Sequence, residues 1–115
     1  MLSVKDKGLL LYIKKHCERI EEKMRVTDRE AFDDDEDVRE IICFNLFQIG
    51  ELAKGFSEDF LKEYSGVPWK YIKGMRDKIG HGYITIDLDR IWNTAAEDIT
   101  PLRAYCDSIL SVEDD

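Results

Sequence analysis

The sequence predicts an all-α protein, an up-down bundle of four main helices with one additional short helix. Apolar residues recur at steps of three and four along most of the 115 residues, as on the buried face of an amphipathic helix. No long stretch alternates apolar and polar residues as a half-buried strand does, and proline occurs only twice. Charged residues make up 37% of the chain, which suits helices with solvated outer faces. The length predicts a single domain, residues 1–115.

The first helix is predicted over residues 3–25, with Ser3 as its N-cap. Residues 26–37 break the periodicity and end in five consecutive acidic residues. We expect these acids at the start of the second helix, because a helix N-terminus favours negative charge. The second helix is predicted over residues 38–56. Its buried stripe comprises Val38, Ile41, Ile42, Leu46, Ile49, Leu52 and Ala53.

Three features of the second helix predict specific contacts. Asn45 lies in the apolar stripe and should be hydrogen-bonded, since an unsatisfied buried amide costs about 1–3 kcal/mol. Gly50 costs about 1 kcal/mol relative to alanine in a helix interior, which predicts a close crossing with a neighbouring helix. Phe44 and Phe47 project from the opposite side of the helix. Either the helix is sandwiched within the domain or these aromatics form a homodimer interface, and we favour the homodimer.

The next two helices are marked by their end signals. A short helix is predicted over residues 57–64, with Ser57 as its cap. The third main helix opens at Pro68, because the first helical position does not need its N–H. Gly80 and Gly82 should end it.

The last helix is predicted to begin at a cap formed by Asp87. Pro101 predicts a kink within this helix, because proline removes one backbone hydrogen bond. The inner face is continuous and comprises Leu88, Ile91, Trp92, Ala95, Ile99, Leu102, Cys106 and Ile109.

The cysteines and the N-terminus exclude several classes of protein. Cys17, Cys43 and Cys106 are odd in number and widely spaced, which predicts reduced core thiols instead of a disulfide framework or a zinc site. The N-terminus lacks the pattern of a signal peptide, and no apolar run approaches the roughly 20 residues of a membrane span. We therefore expect a cytoplasmic protein with no membrane partner, metal or cofactor.

Residues 69–83 are basic within an acidic chain of net charge −8. The overall acidity argues against a protein that coats nucleic acid over a broad surface. A local basic cleft can still bind a few phosphates. The charged residues of this segment are Lys70, Lys73, Arg76 and Lys78, against one acid, Asp77.

The spacing Arg76-x4-His81-x-Tyr83 combines a fixed cation, a titratable imidazole and a phenol. Arginine presents a planar fork to phosphate oxygens, and histidine, with an ordinary pKa of about 6.5, exchanges protons near neutrality. These groups suit metal-independent RNA cleavage. The imidazole would deprotonate a ribose 2′-hydroxyl or protonate the leaving 5′-oxygen, while the guanidinium would stabilise the phosphorane.

Two points of geometry accompany this interpretation. One histidine cannot comfortably make both proton transfers, so a two-fold dimer would bring a second Arg76/His81 pair to a shared cleft. The two side chains are about 140° apart on an ideal helix, and unwinding at Gly80 would turn both toward one pocket. The residues also allow a non-catalytic interpretation, in which His81 caps the helix and Arg76 forms a surface salt bridge with Asp77 or Glu51.

Residues 41–102 resemble the HepT-like branch of the HEPN (higher eukaryotes and prokaryotes nucleotide-binding) domains. The resemblance rests on three segments, in the family's order, and includes an intact R-x4-H-x-Y motif. They are I-G-E-L-A-K at residues 49–54, V-P-W-K-Y-I-K-G-M-R-D-K-I-G-H-G-Y at 67–83, and I-D-L-D-R-I-W at 86–92.

The resemblance implies an all-α, dimeric, metal-independent endoribonuclease that acts as a toxin, with transfer or messenger RNA as candidate substrates. It implies catalytic roles for Arg76 and His81, and a role for Asp77 in orienting His81 or a substrate group. Tyr83 matches the tyrosine that a cognate MntA-type nucleotidyltransferase antitoxin modifies with adenylate. A second interpretation stays open: a non-catalytic nucleotide- or substrate-binding regulatory partner of the nucleotidyltransferase.

Overall fold

Four long helices carry the fold in the computed structural model, which describes residues 2–81 and 87–113. Within these residues every regular element is helical, so the all-α prediction is confirmed. None of the described helices has both the length and the apolar content of a membrane span. In chain order the elements are α1 (Val4–Arg25), α2 (Arg29–Asp34), α3 (Glu36–Ala53), α4 (Glu58–Glu63), α5 (Trp69–His81), α6 (Leu88–Asn93), a π-helical turn (Thr94–Asp98) and α7 (Ile99–Glu113).

Helix α1 is central to the bundle and packs against both α3 and α7, while α5 packs against α3. The stripes predicted for the long helices mostly face the shared core. Ile41 is an exception: it was predicted to be buried but is 43% exposed, because periodicity defines a face and not what covers its edges. The largest fully buried side chains are Phe32, Leu10, Ile13, Ile20, Ile42 and Ile49.

The predicted helix caps are confirmed at three positions. Ser3, Ser57 and Asp87 each accept a hydrogen bond from a backbone amide in the first turn of the helix that follows. These side chains satisfy N–H groups that the helix itself leaves without acceptors.

Residues 26–37, which were predicted to lack periodic structure, contain the short helix α2. Asp28 caps it by accepting a hydrogen bond from Ala31 N at 2.8 Å, and Phe32 anchors it in the core. Six residues are too short to show a helical repeat. The acidic run behaves as expected, since Asp35 caps α3.

The α-helical hydrogen-bonding pattern of the final segment is interrupted before Pro101 by a π-helical turn. The backbone dihedral angles stay in the α region at the junctions of α6, this turn and α7. The irregularity predicted at Pro101 falls one turn earlier, at Thr94–Asp98. Proline deprives the carbonyl four residues back of its helical donor, and that carbonyl belongs to Glu97, within the π turn.

Asn45 makes the hydrogen bonds that its burial demands. Its amide Nδ2 donates to Ile41 O at 2.8 Å, and its Oδ1 lies 2.8 Å from His16 Nδ1. Because Oδ1 is an acceptor, His16 donates from Nδ1. His16 is therefore a structural link between α1 and α3.

The three cysteines are buried and free, as predicted. Burial raises the pKa of the Cys43 thiol to about 11 and that of Cys106 to about 12. The pKa of Cys17 is raised further, again by burial. All three thiols therefore stay protonated at neutral pH and serve as small apolar core residues.

Gly50 marks a close crossing of α3 and α5, which confirms its predicted role. A Cβ at this position would overlap the Cβ of Arg76 and lie 3.0 Å from the Ile72 carbonyl oxygen. The absence of a side chain at Gly50 therefore lets α5 rest directly on α3.

We predict that Gly50→Ala lowers the free energy of unfolding by about 1–3 kcal/mol, because the added methyl group forces the two helices apart. The matched control is Gly74→Ala in α5, where a Cβ meets nothing within 4 Å. That change should raise stability by about 0.5–1 kcal/mol through helix propensity. Urea unfolding of the two variants measures the difference. If both substitutions lowered the free energy of unfolding, or both raised it, the close crossing would be contradicted.

Candidate active site

Arg76 lies where α5 crosses α3 and is held by carboxylates from both helices. Its Nε forms an ion pair with the carboxylate of Glu51 on α3. Its Nη1 lies 3.1 Å from Asp77 Oδ1 on α5. The side chain remains 30% exposed, so the guanidinium sits at the surface.

Lys54 closes these contacts into a ring of four charged residues. Its Nζ lies 2.8 Å from Asp77 Oδ1 and 3.9 Å from Glu51 Oε1. Two carboxylates therefore face two cations, and their formal charges cancel. We call Glu51, Lys54, Arg76 and Asp77 the charged ring.

Phe47 supports the guanidinium from one side. Its ring centroid lies 5.0 Å from Arg76 Cζ, a cation–π contact. A Cβ added at Gly80 would lie 3.4 Å from the Phe47 ring, so that ring also approaches the end of α5. Phe47 is half-buried by these contacts, whereas Phe44 is 55% exposed. The homodimer interface predicted for both residues stays a prediction.

The contacts of the ring shift the pKa values of Arg76 and Asp77 so that the charged form of each is favoured. Desolvation works against the charged form of Arg76, but hydrogen bonds to Asp77 and Glu51 outweigh it and raise the pKa of the guanidinium. Hydrogen bonds from Lys54 and then from Arg76 lower the pKa of Asp77. Both residues are therefore ionised at neutral pH.

His81 is the last residue of α5, five positions after Arg76. The helix continues through Gly80, so the unwinding considered at that glycine does not occur. The side chain of His81 and all of Tyr83 lie outside the described residues. Asp77 contacts Arg76 and Lys54. Arg76 forms ion pairs with both Glu51 and Asp77, the two partners considered in the non-catalytic interpretation.

An apolar cavity of about 350 Å³ lies on another side of α5. Ile72 and Met75 line it from α5, Leu46 and Ile49 from α3, and Tyr105 from α7. No member of the charged ring lines this cavity. The described residues also contain no cluster of three or more His, Cys, Asp or Glu able to hold a metal ion.

The role of Lys54 and the contact of Phe47 with Arg76 were not predicted from the sequence. The available signal was spacing, since Phe47, Glu51 and Lys54 follow one another at i, i+4 and i+7 and share one face of α3. That pattern shows a common face but not which residue of α5 it meets.

Comparison with known proteins identifies the family. Residues 13–109 match the HepT-like family, described as "Ribonuclease HepT-like". The chain belongs to the HepT-like family. This confirms the resemblance noted in the sequence, and the matched residues include both Arg76 and His81.

Relatives of this HepT-like chain extend over nearly its whole length. A protein of Caldanaerobacter subterraneus subsp. tengcongensis named "Putative RNase TTE0752" is 34% identical over 104 residues, which cover 90% of this chain and 93% of that protein. The protein of Thermococcus cleftensis named "Probable ribonuclease HepT" is 34% identical, over 84% of this chain and 88% of its own length. No solved structure matches the chain.

Proposed function

We propose that this HepT-like protein is a metal-independent endoribonuclease in which Arg76 and His81 are the catalytic residues. The observation that carries the proposal is the position of Arg76, a surface guanidinium fixed by two helices and followed along α5 by His81. Membership of a family described as ribonucleases, and relatives with ribonuclease names across most of the chain, support it.

The proposed reaction is a transesterification within RNA. The 2′-oxygen attacks the adjacent phosphorus, a P–O bond forms, and the P–O5′ bond breaks. The products are a 2′,3′-cyclic phosphate and a free 5′-hydroxyl. His81 moves one proton, either from the 2′-hydroxyl or to the leaving 5′-oxygen. Arg76 stabilises the negative charge that develops on the phosphorane oxygens.

A homodimer would supply the second proton transfer. Two copies that meet around a two-fold axis would bring two Arg76/His81 pairs to one cleft, with one imidazole as base and the other as acid. Phe44 supports this arrangement as an aromatic side chain that its own chain leaves 55% exposed, next to the exposed Ile41. Asp77 contributes by orienting the Arg76 guanidinium, to which it is bonded.

The biological role we propose is that of the toxin in a toxin–antitoxin pair, with an MntA-type nucleotidyltransferase as antitoxin. The Tyr83 hydroxyl would attack the α-phosphorus of ATP, bind adenylate, release pyrophosphate and lose its proton to the nucleotidyltransferase. An adenylate on Tyr83 adds a bulky anion two residues from His81 in the sequence. It would compete with RNA phosphate and so inhibit the nuclease.

Arg76→Ala and His81→Ala should each reduce RNA cleavage in EDTA to the background rate while leaving helix content unchanged. The first change removes charge stabilisation and the second removes proton transfer. Cleavage of transfer RNA and detection of a 2′,3′-cyclic phosphate end measure the activity.

Arg103→Ala is the matched control for Arg76→Ala, since Arg103 is 29% exposed and also bonds two carboxylates, Glu21 and Asp107. His16→Gln is the control for His81→Ala, because His16 lies in a structural contact. Both controls should cleave RNA. Equal activity of Arg76→Ala, His81→Ala and the wild type would refute the catalytic assignment. RNA binding by the wild type without cleavage would identify a binding module instead.

Tyr83→Phe should retain RNA cleavage but escape adenylylation, because only the hydroxyl accepts the adenylate. Intact-mass analysis after incubation with the nucleotidyltransferase and ATP measures the adduct. Tyr12→Phe is the control, since Tyr12 is an exposed tyrosine on α1. The Tyr12→Phe protein should still receive the adenylate. An adduct that persists on Tyr83→Phe would place the acceptor elsewhere.

Phe44→Glu should convert dimers to monomers in sedimentation, because a buried unpaired carboxylate is strongly unfavourable in an apolar interface. The control is Val26→Glu, an exposed apolar position at the end of α1. It should sediment as the wild type does. An unchanged dimer for Phe44→Glu would remove Phe44 from the interface.

A further inference from the structure

We propose that Glu51 is the positioning residue that holds Arg76 ready for phosphate before RNA binds. It acts as part of a seat on α3, which we define as Phe47, Gly50, Glu51 and Lys54. This inference rests on the proposed ribonuclease function and adds to it a residue that does not itself touch the substrate.

The seat constrains Arg76 at three separate points. Because Gly50 has no side chain, the Cβ of Arg76 packs directly against α3. The Phe47 ring lies 5.0 Å from the Arg76 Cζ and supports the plane of the guanidinium. Glu51 forms an ion pair with Nε and so favours one orientation of that plane. A long, flexible side chain is thereby held in one geometry.

These contacts leave part of the guanidinium available. Glu51 forms an ion pair with Nε, and Asp77 Oδ1 accepts a hydrogen bond from Nη1. Within the described part of the chain, no acceptor meets Nη2. An arginine has five N–H donors, so the edge formed by Nη1 and Nη2 can still meet a phosphate. The bound carboxylates orient the fork without occupying all of it.

Lys54 balances the negative charge of the carboxylates that orient Arg76, which would otherwise repel a phosphate. Its Nζ lies 2.8 Å from Asp77 Oδ1 and 3.9 Å from Glu51 Oε1. The two acids that orient Arg76 are therefore balanced by Arg76 itself and by Lys54. The ring carries no net negative charge to repel RNA.

Fixing a cation in advance lowers the cost of reorganisation at the moment of reaction. Small losses of orientation have large effects on rate, and we expect Glu51→Gln to lower kcat on the order of tenfold to a hundredfold. The KM for RNA should stay the same or fall, because the substitution removes a negative charge near the phosphate. A fall in kcat without a rise in KM distinguishes positioning from loss of RNA binding.

The test compares Glu51→Gln with Glu21→Gln, using kcat, KM and the side-chain ¹H–¹⁵N resonances of the arginines. Glu21 is a matched control because it accepts a hydrogen bond from Arg103 Nε at 2.7 Å, between α1 and α7. In the wild type we expect slow exchange of the Nε–H protons of both arginines. Glu51→Gln should accelerate exchange at Arg76 only, and Glu21→Gln at Arg103 only, with kcat unchanged in the second variant.

The outcomes separate this inference from the proposed function. If the wild type cleaves RNA and Glu51→Gln has an unchanged or higher kcat, Glu51 is not a positioning residue, and a lower KM would then make it a competitor of phosphate. If the wild type fails to cleave RNA, the ribonuclease proposal fails. In that case the Arg76 resonance alone decides whether Glu51 holds the guanidinium, and unchanged exchange in Glu51→Gln would overturn the seat.

Discussion

The contact on which the candidate site depends is the crossing of α3 and α5 at Gly50. Helix α5 carries Arg76 and ends at His81, and its main packing partner is α3. Because Gly50 has no side chain, the backbone of α3 lies directly against the root of Arg76. The same crossing brings Glu51 and Lys54 within reach of α5. One missing methyl group therefore fixes both a helix interface and the arrangement of charge on it.

The charge pattern of the site is more specific than its basic sequence indicates. Residues 69–83 contain four basic residues, yet Arg76 is neutralised locally within the charged ring. Lys70 and Lys78 lie on the exposed side of α5 and remain available to attract a polyanion. Under the proposed function, attraction and orientation would thus fall to different residues of one helix: the exposed lysines would attract phosphate, and the oriented arginine would bind it.

The sequence predicted the long helices, three of the helix caps, the close crossing at Gly50 and the hydrogen-bonded Asn45, because each depends on local chemistry or on periodicity. It did not predict α2, whose stability comes from burying Phe32 and not from a repeated pattern. It placed Ile41 in the core, since a stripe does not reveal which neighbour covers its edge. The charged ring joins residues 23 positions apart, Lys54 and Asp77. Which of several carboxylates meets Arg76 depends on how far α5 slides along α3, and no local pattern specifies that distance.

The three buried thiols allow the opening of the bundle to be measured by their reaction with a thiol reagent. Cys17 lies in α1, Cys43 in α3 and Cys106 in α7, so each of these helices contains one group that a thiol reagent reaches only when the core opens. Helix α5 has no cysteine. Labelling rates would therefore measure the opening of α1, α3 and α7. They would not detect a detachment of α5, the helix that carries Arg76, unless that motion also exposed Cys43.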